Sequence, residues 1–439
     1  MIKPMILVTA PIETRSGYGN HARDICRALI ESDKYDVKIQ SVPWGSTPLN
    51  ALEKDNPVHK EIQKRILRTP SLPKQPELHL HIVIPNEFRA IGKKNIGVTA
   101  GIETTIPPAQ WVEGCNRMDK VIFTSEFSKE GFVNVVFDKL DQKTQKNIGT
   151  LKFEKESDVL FEGADTDVYK KTNEVSEMMN EKFSVIDEDF CFLFVGHWLQ
   201  GNMGEDRKDI GMLLRVFYSM FKDKENTPAL ILKTSGAGFS IIDRNDIKKK
   251  IDKVKKTFSG SKLPNVYLLH GDLTDEEMNQ MYNHPKVKAH LSFTHGEGFG
   301  RPLLEASLSG KPVIAPISTG QADFLDKDYV VELPHTMTKA SPNAFPKDYL
   351  TPESQWSTVN YSLAGRIIND VFTNYDKYKV RGEKAALINS QTFSFEEMKV
   401  KLEKIVDEVI SDVPQQVQLK LPSLKKEPKK LKLPKLKKG

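Results

Sequence analysis

Between Val287 and Pro316 the sequence passes from an apolar run to a glycine-rich turn, a short amphipathic stretch and a second apolar run. The first run, Val287-Lys-Ala-His-Leu-Ser-Phe293, reads as a buried strand. His295-Gly-Glu-Gly-Phe-Gly-Arg-Pro-Leu-Leu-Glu305 follows, and Gly296, Gly298 and Gly300 let the backbone turn and approach a ligand closely. Pro302 suits the first helical position, Gly310 the helix end, and Pro312-Val-Ile-Ala restarts a strand. Strand, loop, helix and strand in this order form a βαβ unit, which builds a parallel sheet covered by helices. Backbone N–H groups at the start of such a helix attract phosphate. Glu297 in the loop and Glu305 one turn into the helix flank that position. Anion-binding amides beside two hydroxyl-binding acids suit a nucleotide diphosphate sugar.

The same alternation runs through two blocks, and 439 residues exceed the usual size of a single core. In the first block, residues 1–185, strands are predicted at Met5-Ile-Leu-Val-Thr, Val37-Lys-Ile-Gln-Ser, Leu78-His-Leu-His-Ile-Val-Ile, Asn95-Ile-Gly-Val-Thr, Lys120-Val-Ile-Phe-Thr and Ser157-Asp-Val-Leu. A second Rossmann-like block, 186–365, opens on Phe190-Cys-Phe-Leu-Phe-Val-Gly196, a continuous apolar run typical of a strand buried on both faces. Its next strands are Ala229-Leu-Ile-Leu-Lys-Thr and Val266-Tyr-Leu-Leu-His. The segment 163–190 is polar without strong periodicity and reads as a linker. Residues 366–413 carry helical patterns, and 414–439 are a Lys/Pro/Leu-rich tail expected to be disordered.

Glu297 and Glu305 enclose seven residues, a spacing that resembles the E-x7-E motif of retaining family 4 (group 1) glycosyltransferases of the GT-B fold. Glu-Gly-Phe-Gly-x-Pro-Leu-Leu-Glu-Ala and Gly-Lys-Pro-Val-Ile-Ala match that motif's surroundings. The resemblance implies an α/β protein of two Rossmann-like domains facing across a cleft. The first would bind the acceptor and the second a nucleotide-sugar donor, with the last helices crossing back to the first. The implied activity is transfer of a sugar, with retention, to an acceptor hydroxyl of a glycan, lipid-linked molecule or protein. No bound metal or cofactor is implied, the donor being a substrate.

The resemblance also assigns residues. Glu305 would hold the ribose hydroxyls and Glu297 the transferred sugar, while Gly298, Phe299 and Gly300 approach the phosphate. Lys208, with Arg207 beside it in Gly204-Glu-Asp-Arg-Lys-Asp, aligns with a basic residue that touches the diphosphate, and preorganised cations there offset the charge of the leaving group. Ser16-Gly17-Tyr-Gly19 resembles the glycine loop of the first domain that closes over the donor phosphate. The sequence departs from the family where an arginine often follows the first strand of the second domain, since Val195-Gly-His197-Trp-Leu stands there. His197 would replace that cation only when protonated, and Lys233 is a possible substitute. Gly101-Ile-Glu103 to Asn116-Arg-Met-Asp119 and Thr124-Ser-Glu-Phe127 resemble a subset of the family, with Glu103 as an acceptor or sugar contact. His79 and His81 alternate along one strand and share a face, which makes either an acceptor-side base in one reading and a plain sheet residue in the other. Trp44, Trp111 and Trp198 are either sugar-stacking or core residues.

The tail holds nine lysines and one acid, Glu427, for a charge of +8, so the overall +5 leaves −3 for the remainder. Basic character confined to one tail points to a polyanion partner, either nucleic acid or an anionic membrane surface, or to a solubilising role. An enzyme glycosylating modified DNA bases is therefore an alternative, as is a nucleotide-sugar-binding protein without turnover. A nucleotide-sugar epimerase would need acid–base residues that are not identified. Cys26, Cys115 and Cys191 are widely spaced and odd in number, which argues against a disulfide framework or zinc cluster and for a reducing cytoplasm, with peripheral membrane contact through the tail.

Overall fold

The computed structural model describes residues 3–69, 71–141, 143–236 and 238–413. The tail 414–439, with the charge and disorder expected of it, lies outside the described residues. The first block runs β1 (Met5–Ala10), α1 (Gly17–Glu31), β2 (Asp36–Ser41), α2 (Pro57–Gln63), β3 (Leu78–Ile82), β4 (Lys94–Thr99), α3 (Ala109–Asn116), β5 (Lys120–Phe123), α4 (Glu126–Val133), β6 (Val136–Leu140), β7 (Asn147–Lys152) and β8 (Glu156–Val159). Strand β1 is buried at every position, as an unbroken apolar run requires when helices cover both faces of a sheet. Helix α1 is capped by Ser16, whose Oγ accepts the Gly19 N–H at 3.0 Å, and it buries Ala22, Ile25, Cys26 and Leu29 at helical spacing.

The second block follows through α5 (Glu177–Phe183), β9 (Cys191–Val195), α6 (Ile210–Phe221), β10 (Ala229–Lys233), α7 (Ile241–Lys256), β11 (Val266–Leu269), α8 (Asp275–Asn283), β12 (Val287–Leu291), α9 (Arg301–Ser307), β13 (Val313–Ala315) and β14 (Val331–Glu332). It continues with β15 (His335–Lys339), β16 (Gln355–Val359), α10 (Tyr361–Thr373), α11 (Tyr375–Thr392) and α12 (Phe395–Ser411).

Two six-stranded sheets result, ordered β2-β1-β3-β4-β5-β8 and β11-β10-β9-β12-β13-β14, with every pairing parallel. Strand order reverses at β1 and at β9, and in open α/β sheets ligands sit at the carboxyl ends beside such a switch.

Three features differ from the sequence reading. The 163–190 segment contains α5, capped by Ser176, and buries Tyr169, Met179 and Phe183, so it is packed rather than a bare linker. Two antiparallel hairpins, β6–β7 and β15–β16, interrupt the alternation. Pro302 occupies the second helical position of α9, behind Arg301.

The chain returns to the first domain late. Helix α10 packs on α6, α11 on α9, and α12 on α1. At the crossing, Ala164 N–H donates to Phe393 O at 2.9 Å and Phe395 N–H to Ala164 O at 2.7 Å. Arg27 of α1 lies 4.0 Å over the Phe395 ring and also pairs with Asp165. One hydrophobic cluster therefore runs from Ile6 and Ile25 through Leu402 and Val406 to Leu304 and Val313, joining both domains.

Candidate functional site

The carboxyl ends of β4 and β5 meet the glycine loop that follows β12. Gly298 O accepts hydrogen bonds from Ser125 Oγ (2.6 Å) and Thr124 Oγ1 (3.1 Å). A Cβ on Gly298 would lie 2.8 Å from Ala100 Cβ and O, and one on Gly296 would collide with Glu103 O. The Thr124-Ser-Glu-Phe segment thus docks the loop while Ser125 Oγ also caps α4. Hairpin β15–β16 supports the loop from the other side. His295 stacks on Trp356 at 4.0 Å, its Nδ1 is 2.6 Å from Ser357 O, and Thr105 N–H donates to Gln355 O at 3.0 Å.

Four of the residues singled out in the sequence converge at this junction. Glu103 extends from the end of β4, and Arg207 and Lys208 lie just before α6. Arg207 Nη1 is 2.6 Å from Glu103 Oε1 and 3.9 Å from Glu297 Oε2. Lys208 Nζ pairs with Glu297 Oε1, both side chains being nearly buried. Burial would raise the Glu297 carboxyl, but the Lys208 and Arg207 cations outweigh it and hold the group below its usual range. Asp209, next to Lys208, sits in the left-handed region at φ 51°, a strained conformation of the kind that gathers at functional sites. It accepts from Tyr361 OH at 2.8 Å.

Glu305 lies apart from that cluster. Its Oε1 is 2.8 Å from Arg301 Nε, and Arg301 also pairs with Asp24 of α1, linking the domains a second time. Burial pushes Glu305 up to about 7 against the opposing Arg301 charge. Helix α9 has seven residues, so its dipole is short. The amides of Gly298, Phe299 and Gly300 nevertheless have no protein acceptor among the described residues, and Gly300 takes φ 102° to turn the chain into α9. The Phe299 side chain is buried against Phe324 and Phe393, so only its backbone faces a ligand.

In the first-domain loop, Gly17 has open space where a Cβ would stand, whereas a Cβ on Gly19 would strike Thr14 O. Arg15, in the same loop, is 2.5 Å from Asp272 of the second domain.

His197, expected to stand in for the arginine only when protonated, is held beside Ser235 and Gly236. Its Nδ1 lies 3.2 Å from Ser235 Oγ and 3.0 Å from Gly236 O, while burial and then the Lys208 charge lower its pKa and keep it neutral. Lys233 Nζ is 2.5 Å from Gly271 O and 5.8 Å from the Phe239 ring, and Arg207 is the cation whose charge acts on Lys208. His79 and His81 are buried within β3. His79 Nε2 is 2.9 Å from Thr9 Oγ1, and His81 Nδ1 accepts the Arg89 N–H at 3.0 Å. Burial lowers them to about 4 and about 3, which fits sheet residues rather than bases. Trp111 and Trp198 are core residues, but Trp44 is half-exposed and stacks on Tyr18 at 4.3 Å.

Two residues at the cleft were not singled out by sequence, His21 and Glu162. Glu162 follows β8, and an acid at the carboxyl end of a parallel strand is the signal that was available. His21 lies on the buried stripe of α1, where sequence gives no sign of its exposure to a cavity.

Among the described residues, no group of three or more His, Cys, Asp or Glu side chains could hold a metal ion, and no helix is long and apolar enough to cross a membrane.

No family model and no curated protein matches the sequence. Solved structures match over nearly the whole chain. HepE from Anabaena, in complex with UDP-glucose, is similar with a TM-score of 0.60 at 14% identity, covering 92% of this chain and 100% of that one. Sucrose-phosphate synthase from Thermosynechococcus elongatus gives 0.61 at 12%, covering 93% and 100%. A glycosyltransferase from Rickettsia africae gives 0.60 at 16%, covering 94% and 100%. The chain has the GT-B fold of these proteins.

Proposed function

We propose that this GT-B protein is a retaining glycosyltransferase that moves a sugar from a nucleotide diphosphate sugar to an acceptor hydroxyl. One observation carries the reading. Arg207 and Lys208 converge with Glu297 and Glu103 across the domain junction, beside the unpartnered amides of the glycine loop. Breaking the anomeric C–O bond leaves its electron pair on the diphosphate. Two cations and the unpartnered amides would stabilise that charge where it develops. Glu297 would hold a hydroxyl of the transferred sugar, and Glu305 the ribose. Glu103 would face the acceptor side. The acceptor oxygen bonds to the anomeric carbon, and its proton passes to the departing phosphate oxygen.

Lys208 pairs with Glu297, and Arg207 with Glu103. On donor binding the cations would turn partly toward phosphate, so the acids keep a buried cationic site assembled until the ligand arrives. Further support comes from the neighbouring folds, one of which is described in complex with UDP-glucose.

The experiment is incubation of the purified full chain with UDP-, GDP- and ADP-glucose and a panel of methyl glycosides, with products followed by proton NMR. An α-linked product, or α-glucose from water as acceptor, supports retention. A β-anomer as the first product contradicts it. The lysine-rich tail supplies a proposed contact with polyanions, and removing it tests whether such a contact contributes to acceptor recognition.

A further inference from the structure

A small cavity opens beside the glycine loop, walled by Tyr18, His21, Thr99, Ala100, Thr124 and Glu162, with Ile82 and Val98 beneath. All of its lining comes from the first domain. Its volume, about 10 Å³, admits about one water molecule. Two polar walls are already engaged. Tyr18 OH is 2.8 Å from Thr99 Oγ1 and accepts the Ala100 N–H, while Thr124 Oγ1 donates to Gly298 O. The other two are not. His21 is 2% exposed, and neither ring nitrogen has a hydrogen-bond partner. Glu162 is 6% exposed, and its carboxyl makes no hydrogen bond among the described residues.

Buried polar groups are normally satisfied, so two unpartnered ones facing a common space mark a place where a single small hydrogen-bonding group, a water or a ligand hydroxyl, would be held. The charges around them limit its chemistry. Arg301, Asp24, Glu305 and Glu297 surround Glu162, but Arg301 is already held between Asp24 and Glu305. Burial raises Glu162 to about 8 and lowers His21 to about 3, which leaves both neutral at pH 7. A neutral carboxylic acid and a neutral imidazole each offer one donor and one acceptor. A sugar hydroxyl has the same two faces, whereas a phosphate or carboxylate would meet no free cation.

Resting on the glycosyl-transfer reading, we infer that the cavity between His21 and Glu162 is a subsite for a single uncharged hydroxyl of the sugar acceptor, which would take the place of a water. The Thr124–Gly298 hydrogen bond puts it next to the donor loop. The partly buried Trp44 stacks on Tyr18, one of the cavity walls.

The test uses the full chain as wild type, Glu162→Gln, Glu162→Leu and His21→Leu. Donor affinity is measured by calorimetry with UDP-, GDP- and ADP-glucose. Transfer is measured to methyl glycosides of glucose, galactose and mannose, or to water where none of these serves. Glu162→Gln keeps a neutral hydrogen-bonding group of the same shape and should stay within about threefold of wild type, whereas each leucine variant should lose about tenfold or more in transfer with donor Kd nearly unchanged. Wild-type transfer by both leucine variants would overturn the subsite. So would a parallel loss of donor affinity, which would assign these groups to the donor. A loss in Glu162→Gln as large as in Glu162→Leu would overturn the neutral-acid role. Wild type that binds none of the three donors would instead defeat the glycosyl-transfer reading, and the subsite with it.

Discussion

Arg207 of the second domain lies 2.6 Å from Glu103 of the first, and this ion pair closes the domain junction directly over Glu297. Both side chains keep about a quarter of their surface exposed, so the pair itself adds little stability. Its value is positional, because it holds a cation where the diphosphate would leave. Arg207→Ala should therefore lower transfer by about 10²- to 10³-fold, the cost of losing one charge-stabilising donor, with a melting temperature close to wild type. Steady-state kinetics and a thermal melt of the same preparation check both parts.

Lys208 and Glu297 form a buried pair, in which removing one partner strands the other. Lys208→Met should destabilise the protein by about 3–5 kcal/mol, whereas Lys208→Met combined with Glu297→Leu should recover most of that loss. Neither variant should transfer sugar. Urea unfolding of the single and double variants separates the structural debt from the catalytic one.

Two glycines divide in the same way. Gly17 has room for a methyl group, while Gly298 has Ala100 O 2.8 Å from where a Cβ would stand. Gly17→Ala should fold with an unchanged melting temperature and lose affinity only for the nucleotide sugar. Gly298→Ala should weaken the contact between the domains, seen as a lower melting temperature and a larger radius of gyration in solution scattering.

Burial raises the Glu162 carboxyl from 4.5 to about 8. Between those values the unfolded chain has released a proton that the folded chain still holds. Stability from this group is then complete below about pH 4.5 and is lost as pH rises toward 8, on the order of 5 kcal/mol in all. Glu162→Gln should remove that component, so the difference in unfolding free energy between variant and wild type should widen in the variant's favour from pH 5 to pH 8. Urea titrations at four or five pH values measure it.

The parts of this molecule that sequence revealed are the local ones. The glycine loop, the start and end of α9 and the apolar runs of β1, β9 and β12 follow from residue type and short-range spacing. Glu297, Lys208, Arg207 and Glu103 were nameable as single candidates, but their meeting depends on two domains docking. What was missed depends on long-range packing. The β15–β16 hairpin has strands too short and polar to stand out, yet through Trp356 and Ser357 it fixes His295. The helix α5 hides in a polar segment because it buries little besides Met179 and Phe183. His21 and Glu162 become notable only when burial and a shared cavity are known, since a histidine in an amphipathic helix and an acid after a strand are ordinary in sequence. The charge state of His197 was not legible for a related reason, as that of an imidazole depends on the burial and the cations around it.

Calorimetric titration of UDP-, GDP- and ADP-glucose into wild type, Lys208→Ala and Glu305→Ala tests the central claim most directly. The expected result is micromolar to millimolar binding of one donor by wild type, weakened about tenfold or more in each variant, because each loses a charged contact to the nucleotide. Binding of that donor with equal affinity by all three proteins, or no binding by wild type, would contradict a nucleotide-sugar site at the glycine loop.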